Sequence, residues 1–400
     1  MPPAARSSTV GAAGRGRGQM RHTRPIPVLL TVPHLNSTAS PYREMMAIVN
    51  LLPRSDFRLT VCSLRDGGFR ETAPLLESLG IECFVARFRP TGRSAGAIRQ
   101  SWKEQVLIDR RGPFAIQHSL DFTSSPFEAL MARMRSRAYI CSQRNLNQNG
   151  HPLLLRIKML LCRRVIAISD AVQRFLLQHG VQEKKVSKIR LGIDVADFGL
   201  ERTRGYFLCV GQIEPLKRQE DAIRALHLVA RDCPEARLGI AGNVFDREYM
   251  SFLQRLVAEL GVADRVDFLG PRTDILQLMA KASGLIHCSE SEAFGWVVVE
   301  AMSVGTPVIV AASDGPREII DSGRTGILLN CGDVSGYAAA MRSLIEEPAL
   351  AGRFSENGRQ EVVRRFSLKT MVDQIRSVYL DCLGEDAAPG ALASAASRNL

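Results

Sequence analysis

Short apolar runs alternate with longer amphipathic stretches along the chain, and this alternation limits the possible folds more than any other feature. A first series begins at residues 28–32, and a second begins at residues 206–210 after a break at 199–205. Strands that alternate with helices form mostly parallel, doubly wound sheets, because each parallel strand pair needs a crossover connection. The sequence therefore predicts two α/β domains, whose ligands bind in a cleft beyond the carboxyl ends of the strands.

The two series supply enough elements for one sheet in each domain. The predicted strands are 28–32, 58–62, 81–85, 114–118, 138–141 and 165–169 in the first series, and 206–210, 237–241, 266–269, 284–288 and 308–311 in the second. The predicted helices are 42–52, 71–79, 124–134, 153–164, 219–230, 249–260 and 275–280, with a further run of helices from residue 334.

Composition places the domain boundaries. We expect a disordered basic extension over 1–24, a first domain over 25–198, a linker over 199–205, a second domain over 206–366, a helix over 367–383 that returns to the first domain, and a disordered tail over 384–400. Met20 directly precedes residues 21–24 and the first strand, which makes it a candidate start of the natural chain.

The two halves of the chain differ in charge. Residues 1–200 carry 30 Lys and Arg against 14 Asp and Glu, whereas residues 201–400 carry 22 against 27. A basic first half predicts contact with an anionic lipid surface, an anionic acceptor or a nucleic acid. The chain resembles no nucleic-acid-recognition module and has only 6% aromatic residues, so we expect no nucleic-acid partner.

Several basic residues of the first half are mixed with apolar side chains, as on a surface that lies against anionic lipid headgroups. They are Arg87, Phe88, Arg89, Arg93, Arg99, Trp102, Lys103 and the helix over 153–164. Ordinary solvated arginines over a buried helix explain the same pattern. No apolar run approaches the ~20 residues of a membrane span, and nine scattered cysteines fit reduced thiols in the cytoplasm. We expect a cytoplasmic protein, with peripheral binding to the inner face of the membrane as the hypothesis.

Two glutamates in the second domain can meet one ligand only in a particular local structure. Glu292 and Glu300 are separated by seven residues that include Phe294 and Gly295. A continuous helix would place them about 12 Å apart along its axis, and a strand would place them about 26 Å apart. They converge only if Glu292 lies in a loop and Glu300 in the first turn of a helix, whose free N–H groups favour phosphate.

Two observations oppose a functional interpretation of this pair. Acidic residues are common in a first helical turn, where they offset the helix dipole. The run Val297, Val298 and Val299 is typical of a buried strand rather than of a helix.

Four segments together resemble the retaining glycosyltransferases of family 4. Residues 210–218 are similar to the family's phosphate loop, 266–270 to its nucleobase-side strand, 292–300 to its Glu-x7-Glu signature and 190–198 to the hinge that ends its first domain. The resemblance covers residues from about 25 to 383. It implies the GT-B fold, with two Rossmann-like domains facing each other across a cleft.

The resemblance also implies roles for individual residues. Glu292 would contact the hydroxyls of the donor sugar, Glu300 the ribose hydroxyls, and Lys217 the diphosphate, although Lys217 also fits an ordinary solvated loop lysine. The donor-binding residues implied are Gly211, Gln212, Lys217, Arg218, Ala293, Phe294, Gly295, Trp296, Val297 and Glu300. The catalytic residues implied are Glu292 and His118.

Three positions depart from the family's pattern. Gln212 replaces a common arginine, so that Arg218 is expected to take over a diphosphate contact. Residues 36–40 replace a Gly-Gly loop, and a frequent His-x-His is reduced to His118, which equally fits a structural histidine. These departures leave a non-catalytic nucleotide-sugar-binding protein as the alternative function.

The reaction implied is transfer of a sugar from a UDP- or GDP-sugar to a hydroxyl of a glycan or lipid-linked acceptor, with retention of configuration. Cell-envelope glycan or glycolipid synthesis is the expected setting. Lys217 and a helix start would neutralise the leaving diphosphate, and the chain contains no Asp-x-Asp motif and no His/Cys cluster. We therefore expect no metal and no cofactor beyond the sugar nucleotide.

Overall fold

The structure is a computed structural model that describes residues 24–36, 40–87, 95–120, 123–146, 151–196 and 198–384, with only the backbone described at 95–98. Several predictions concern other residues. The predicted extension, except for Arg24, the predicted tail beyond Gly384, residues 37–39 of the first loop, and Phe88, Arg89 and Arg93 lie outside the described residues.

The first domain is built on a seven-stranded parallel sheet in the order β3-β2-β1-β4-β5-β6-β7. Its strands are β1 Ile26–Val32, β2 Phe57–Ser63, β3 Glu82–Val85, β4 Ile116–Ser119, β5 Ala138–Gln143, β6 Arg164–Ala167 and β7 Val186–Lys188. Its helices are α1 Ser40–Leu51, α2 Phe69–Ser78, α3 Ala95–Asp109, α4 Phe127–Met134, α5 Pro152–Leu161 and α6 Asp170–Gln178.

The second domain is built on a six-stranded parallel sheet in the order β10-β9-β8-β11-β12-β13. Its strands are β8 Thr203–Val210, β9 Arg237–Ala241, β10 Val266–Gly270, β11 Ala282–His287, β12 Val308–Ala311 and β13 Ile327–Leu329. The helices that follow in the chain are α7 Gln219–Val229, α8 Arg247–Glu259, α9 Ile275–Lys281, α10 Trp296–Ser303, α11 Pro316–Ile319, α12 Val334–Glu346, α13 Pro348–Arg365 and α14 Leu368–Gly384. The expected fold class, two doubly wound α/β domains, is confirmed.

The order of strands reverses once in each sheet. In the first sheet β1 lies between β2 and β4, and in the second β8 lies between β9 and β11. The loops that follow the two strands at such a reversal diverge to opposite faces of the sheet and leave a crevice at the carboxyl ends. The loops after β8 and β11 carry Lys217 and Glu292, so both residues start from this crevice.

The last helix packs against the first domain rather than the second. α14 contacts α1, and the ring of Tyr379 on α14 lies edge-on to Phe57 with 5.8 Å between ring centroids. The Nη2 atom of Arg376 donates to Oδ2 of Asp56 at 2.7 Å. The chain therefore crosses between the domains twice, once before β8 and once before α14.

The structure differs from several predicted elements. The sequence interpretation missed α3, α6, α11, β7 and β13. It also started β8 at Tyr206 instead of Thr203, and it placed Gly384 in the tail although Gly384 ends α14. α6 had a readable start signal, because the hydroxyl of Ser169 accepts the N–H of Val172 as an N-cap. Within the described residues, no helix combines the length and apolarity needed to cross a bilayer.

Candidate active site

Hydrogen bonds hold the loop after β11 against the loop after β8. The N–H of Glu290 donates to the carbonyl oxygen of Leu216 at 3.0 Å, and the hydroxyl of Ser289 donates to the same oxygen at 3.3 Å. Lys217 closes a 3₁₀ turn that spans Pro215–Lys217. This arrangement brings Lys217 to Glu292 although the two residues are far apart in sequence.

The Lys217 ammonium contacts the Glu292 carboxylate directly. Nζ of Lys217 donates to Oε2 of Glu292 at 2.8 Å. Burial by itself would raise the pKa of Glu292, but the charge of Lys217, together with His287 and the N–H of Gly295, outweighs it and lowers the pKa. Glu292 is therefore ionised at neutral pH and can accept hydrogen bonds from hydroxyl groups, whereas it has no proton to give as a general acid.

His287 is a site residue that the sequence interpretation missed. It ends β11, its Nε2 lies 3.8 Å from Oε2 of Glu292, and this buried nitrogen has no hydrogen-bond partner among the described residues. Burial lowers the pKa of His287 to about 4, so that the ring is neutral at pH 7. The available signal was its position at the carboxyl end of a strand, directly before the acidic loop.

The predicted helix begins at Trp296, despite the three valines that favour a strand. Gly295 precedes α10 with φ of 95°, a left-handed conformation that a side chain would strain, and its added Cβ would lie 3.2 Å from Pro316. The first N–H groups of a helix lack intrahelical acceptors, so the start of α10 offers donors beside Glu292. Tertiary packing explains the helix, since Val298 and Val299 are both buried in the core.

Glu300 lies one turn into α10 and contacts the first domain. Nη1 of Arg43, from α1, is hydrogen-bonded to Oε1 of Glu300, whose side chain is only 8% exposed. The guanidinium of Arg43 also lies 5.5 Å from the ring centroid of Trp296. The two glutamates therefore have different cationic partners, Lys217 within the second domain and Arg43 across the cleft. The sugar and ribose roles of the glutamates remain predictions.

The other predicted donor-binding residues differ in their surroundings. The loop of Gly211 lies close to Gly242, where an added Cβ would overlap the Gly211 carbonyl oxygen at 1.7 Å. The Gln212 side chain is exposed, while its carbonyl oxygen accepts from Gln219 at 2.8 Å. The Arg218 guanidinium donates to Asp221 at 2.8 and 3.2 Å.

The contact with Asp221 raises the pKa of Arg218 and holds its guanidinium against α7. In this conformation the guanidinium is engaged and does not offer the predicted diphosphate contact. The ring of Phe294 is buried, 5.9 Å from the ring centroid of Phe366, so only its backbone can face a donor. Ala293, before α10, and Val297, in its first turn, are half-buried.

The structure does not bring His118 to these residues. Its side chain is fully buried, with Nδ1 2.8 Å from the hydroxyl of Tyr379 and Nε2 2.9 Å from Oγ of Ser142. Ser142 donates in turn to Glu44, so the network makes Nε2 of His118 the donor and Nδ1 the acceptor of the Tyr379 proton. Burial lowers the pKa of His118 to about 3. In this conformation His118 joins α14 to the first sheet and is closed to substrate.

Comparisons with known proteins support the interpretation of the second domain. Residues 194–361 match the family model described as "Glycosyl transferases group 1". The N-acetyl-alpha-D-glucosaminyl L-malate synthase of Bacillus anthracis is 30% identical over 190 residues, which cover 48% of this chain and 49% of that protein. The glycogen synthase of Mycobacterium tuberculosis is 33% identical over 201 residues, 49% of this chain and 48% of that protein. The chain thus spans about half the length of the curated relatives it matches.

A solved structure matches both domains. The crystal structure of Anabaena HepE in complex with UDP and glucose superimposes with a TM-score of 0.74 at 22% identity, covering 88% of this chain and 99% of that one. At this identity the match concerns the fold. The chain has the GT-B fold of glycosyltransferases, and its second domain is similar to the glycosyl transferases of group 1.

Proposed function

We propose that this protein is a retaining glycosyltransferase, of the hexosyltransferase type, which moves a sugar from a UDP- or GDP-sugar to an acceptor hydroxyl. One observation carries the proposal. Lys217, the ionised Glu292 and the start of α10 meet at the strand-order reversal of the second sheet, where Glu300 faces the first domain. A diphosphate-linked sugar requires a cation and free N–H groups for its diphosphate, and a carboxylate that accepts hydrogen bonds from its sugar hydroxyls.

Each group would act on a different part of the donor. The start of α10 and Lys217 stabilise the negative charge that develops on the leaving diphosphate. Glu292 accepts hydrogen bonds from the sugar hydroxyls and fixes the ring, and Glu300 accepts those of the ribose. The acceptor hydroxyl attacks the face that the phosphate leaves and passes its proton to the departing phosphate oxygen. No metal is needed for this charge balance, because Lys217 and the helix start supply positive charge.

We propose a nucleotide-sugar donor, an acceptor and a cellular location for this protein. HepE was crystallised with UDP, which favours UDP over GDP as the nucleotide of the donor. We assign the acceptor, a glycan or a lipid-linked sugar in cell-envelope synthesis, to the first domain across the cleft. The proposed location is the cytoplasm, with peripheral binding to the inner face of the membrane.

A thermal-shift panel of nucleotides and sugar nucleotides tests the proposal. A ligand that binds only the folded state raises the melting temperature with its concentration. We expect the melting temperature to rise with UDP or GDP and with one of the corresponding sugar nucleotides, without added metal. In a separate activity assay, the protein should hydrolyse that sugar nucleotide or transfer its sugar to an acceptor. No shift with any nucleoside diphosphate would overturn the proposal.

A non-catalytic nucleotide-sugar-binding protein is the second candidate. It is favoured by Arg218, which pairs with Asp221, and by His118, which is sealed in the core. This candidate predicts the same thermal shifts, but neither donor hydrolysis nor transfer above the level of a Glu292→Gln variant.

A further inference from the structure

Three neighbouring helices of the first domain expose apolar side chains to solvent. Parallel strands are joined by right-handed crossovers, so the strand order places α3, α4 and α5 on one face of the sheet and α1 and α2 on the other. α4 packs against α5, and Nε of Arg135, which follows α4, donates to Asp109 of α3 at 2.5 Å. The three helices therefore form one continuous outer surface.

The exposed apolar residues follow helical spacing on each helix. On α5 they are Leu153, Ile157 and Leu160, with exposures of 59%, 37% and 61%, whereas Leu155 and Met159 of the same helix are buried. Leu130 and Met134 repeat the pattern on α4, and Trp102 and Val106 repeat it on α3. A helix that is apolar on its outer side as well as its inner side is typical of an interaction surface.

The charged residues on this outer surface are all basic. Arg99 and Lys103 of α3, Arg133 of α4 and Arg156 of α5 are exposed. The acidic residues that the structure describes on these three helices do not offset this charge, because Glu104 and Glu128 are buried and the half-buried Asp109 is paired with two arginines. We name the surface formed by these basic residues and the seven apolar ones the basic–apolar face.

Further cations adjoin the basic–apolar face where α5 ends. Nζ of Lys185 donates to the carbonyl oxygen of Leu160 at 2.9 Å. Burial lowers the pKa of Lys185, and the nearby charges of Arg133, Lys184 and Arg163 lower it further. Several positive charges are thus held close together beside the exposed Met134 and Leu160, where an anionic partner would relieve their repulsion.

We propose that the basic–apolar face binds the surface of an anionic lipid bilayer. Apolar side chains at helical spacing enter the boundary between headgroups and acyl chains, while arginine and lysine attract the anionic headgroups. A second copy of the chain fits less well, because a symmetric pairing would place positive charges against positive charges. The face lies apart from Lys217 and Glu292, so membrane binding and nucleotide binding can be tested separately.

Cosedimentation of the full chain with vesicles tests this proposal. One set of vesicles contains phosphatidylglycerol in phosphatidylcholine, and the other contains phosphatidylcholine alone. We expect binding to the anionic vesicles that weakens with added salt, and little binding to the neutral ones. The double variant Met134→Ser/Leu160→Ser should lower the partition coefficient by about tenfold or more, and Arg133→Gln/Arg156→Gln should reduce both the binding and its salt dependence.

The matched control lies on the opposite face of the sheet. Leu75 lies within α2 and Leu79 directly follows it, with exposures of 44% and 39%, but the exposed Glu71 and Glu77 lie on the same helix. Leu75→Ser/Leu79→Ser should bind vesicles like the wild type, and all variants should keep the nucleotide-induced thermal shift. Absence of wild-type binding at low salt, or unchanged binding of the Met134/Leu160 variant, overturns the proposal. A dimer that this variant abolishes would instead assign the face to a second copy.

Discussion

Arg43 of the first domain forms an ion pair with Glu300 of the second across the cleft. The arginine side chain is 38% exposed and the glutamate side chain is 8% exposed. Glu300 is the residue proposed to receive the ribose, and in this structure a side chain of the opposite domain already contacts Oε1, one of its two carboxylate oxygens. We therefore expect Arg43 to compete with the ribose of a nucleotide for Glu300.

Replacing Arg43 removes this competitor. Partly exposed ion pairs contribute up to about 1 kcal/mol, so Arg43→Ala should tighten nucleoside diphosphate binding about two- to fivefold. Arg43→Lys keeps a positive charge, so its affinity for the nucleoside diphosphate should lie between those of Arg43→Ala and the wild type. Isothermal titration calorimetry measures the difference. If Arg43→Ala weakens binding tenfold, Arg43 contacts the nucleotide instead of excluding it.

Glu300→Gln tests the assignment of the ribose. A carboxylate accepts hydrogen bonds from ribose hydroxyls more strongly than a neutral amide, so the variant should bind the ribonucleotide at least about tenfold more weakly. A 2′-deoxynucleoside diphosphate provides the control ligand. The wild type should bind the deoxy form more weakly than the ribo form, whereas the variant should distinguish them far less. Equal discrimination in both proteins would place the ribose elsewhere.

Tyr379→Phe tests the structural role of His118. Loss of the hydroxyl leaves Nδ1 of the buried histidine without a donor, which should lower the free energy of unfolding by about 1–3 kcal/mol. Tyr337→Phe is the matched control, because the Tyr337 hydroxyl is also buried but has no hydrogen-bond partner among the described residues. Urea denaturation compares the two. An equally small decrease in the free energy of unfolding of both variants would contradict the hydrogen bond between Tyr379 and His118.

The buried His287 should make stability depend on pH. Its pKa is about 4 in the folded state and near 6.5 when solvated, so between these values the unfolded chain binds more protons. Stability is therefore lost as the pH falls from 6.5 to 4, by up to about 1.4 kcal/mol per pH unit from this one group. His287→Asn should flatten the slope in this window, whereas the exposed His151→Asn should not. Identical slopes in all three proteins would show that His287 is not buried neutral.

Local sequence was sufficient for much of the second sheet. The predicted bounds of β9 and β12 agree with the structure, because both are short apolar runs bordered by polar or turn residues. The start of α10 at Trp296 followed from the geometric demand of the two glutamates, against the preference of the valines. α3 was missed because its exposed Trp102 and Val106 blur the apolar stripe that marks a helix.

The side-chain contacts of the site could not be predicted from local sequence. The pair formed by Arg43 and Glu300 joins residues 257 positions apart, and no sequence pattern indicates which arginine crosses the cleft. His118 lies one residue before the end of β4 rather than at the strand end, and only the packing of α14 showed that Tyr379 covers it. Arg218 was expected near the diphosphate, and its contact with Asp221 depends on its left-handed backbone with φ of 49°.

The most direct measurement compares Glu292→Gln with Glu290→Gln, two identical substitutions in one loop, of which Glu290 is exposed. Steady-state transfer or donor hydrolysis gives turnover, and calorimetry gives nucleotide affinity. Glu292→Gln should lower turnover by about 100-fold or more while nucleotide affinity changes by less than about threefold, because Glu292 is proposed to bind the sugar and not the nucleotide. Glu290→Gln should match the wild type in both. Unchanged turnover in Glu292→Gln would contradict the proposed site.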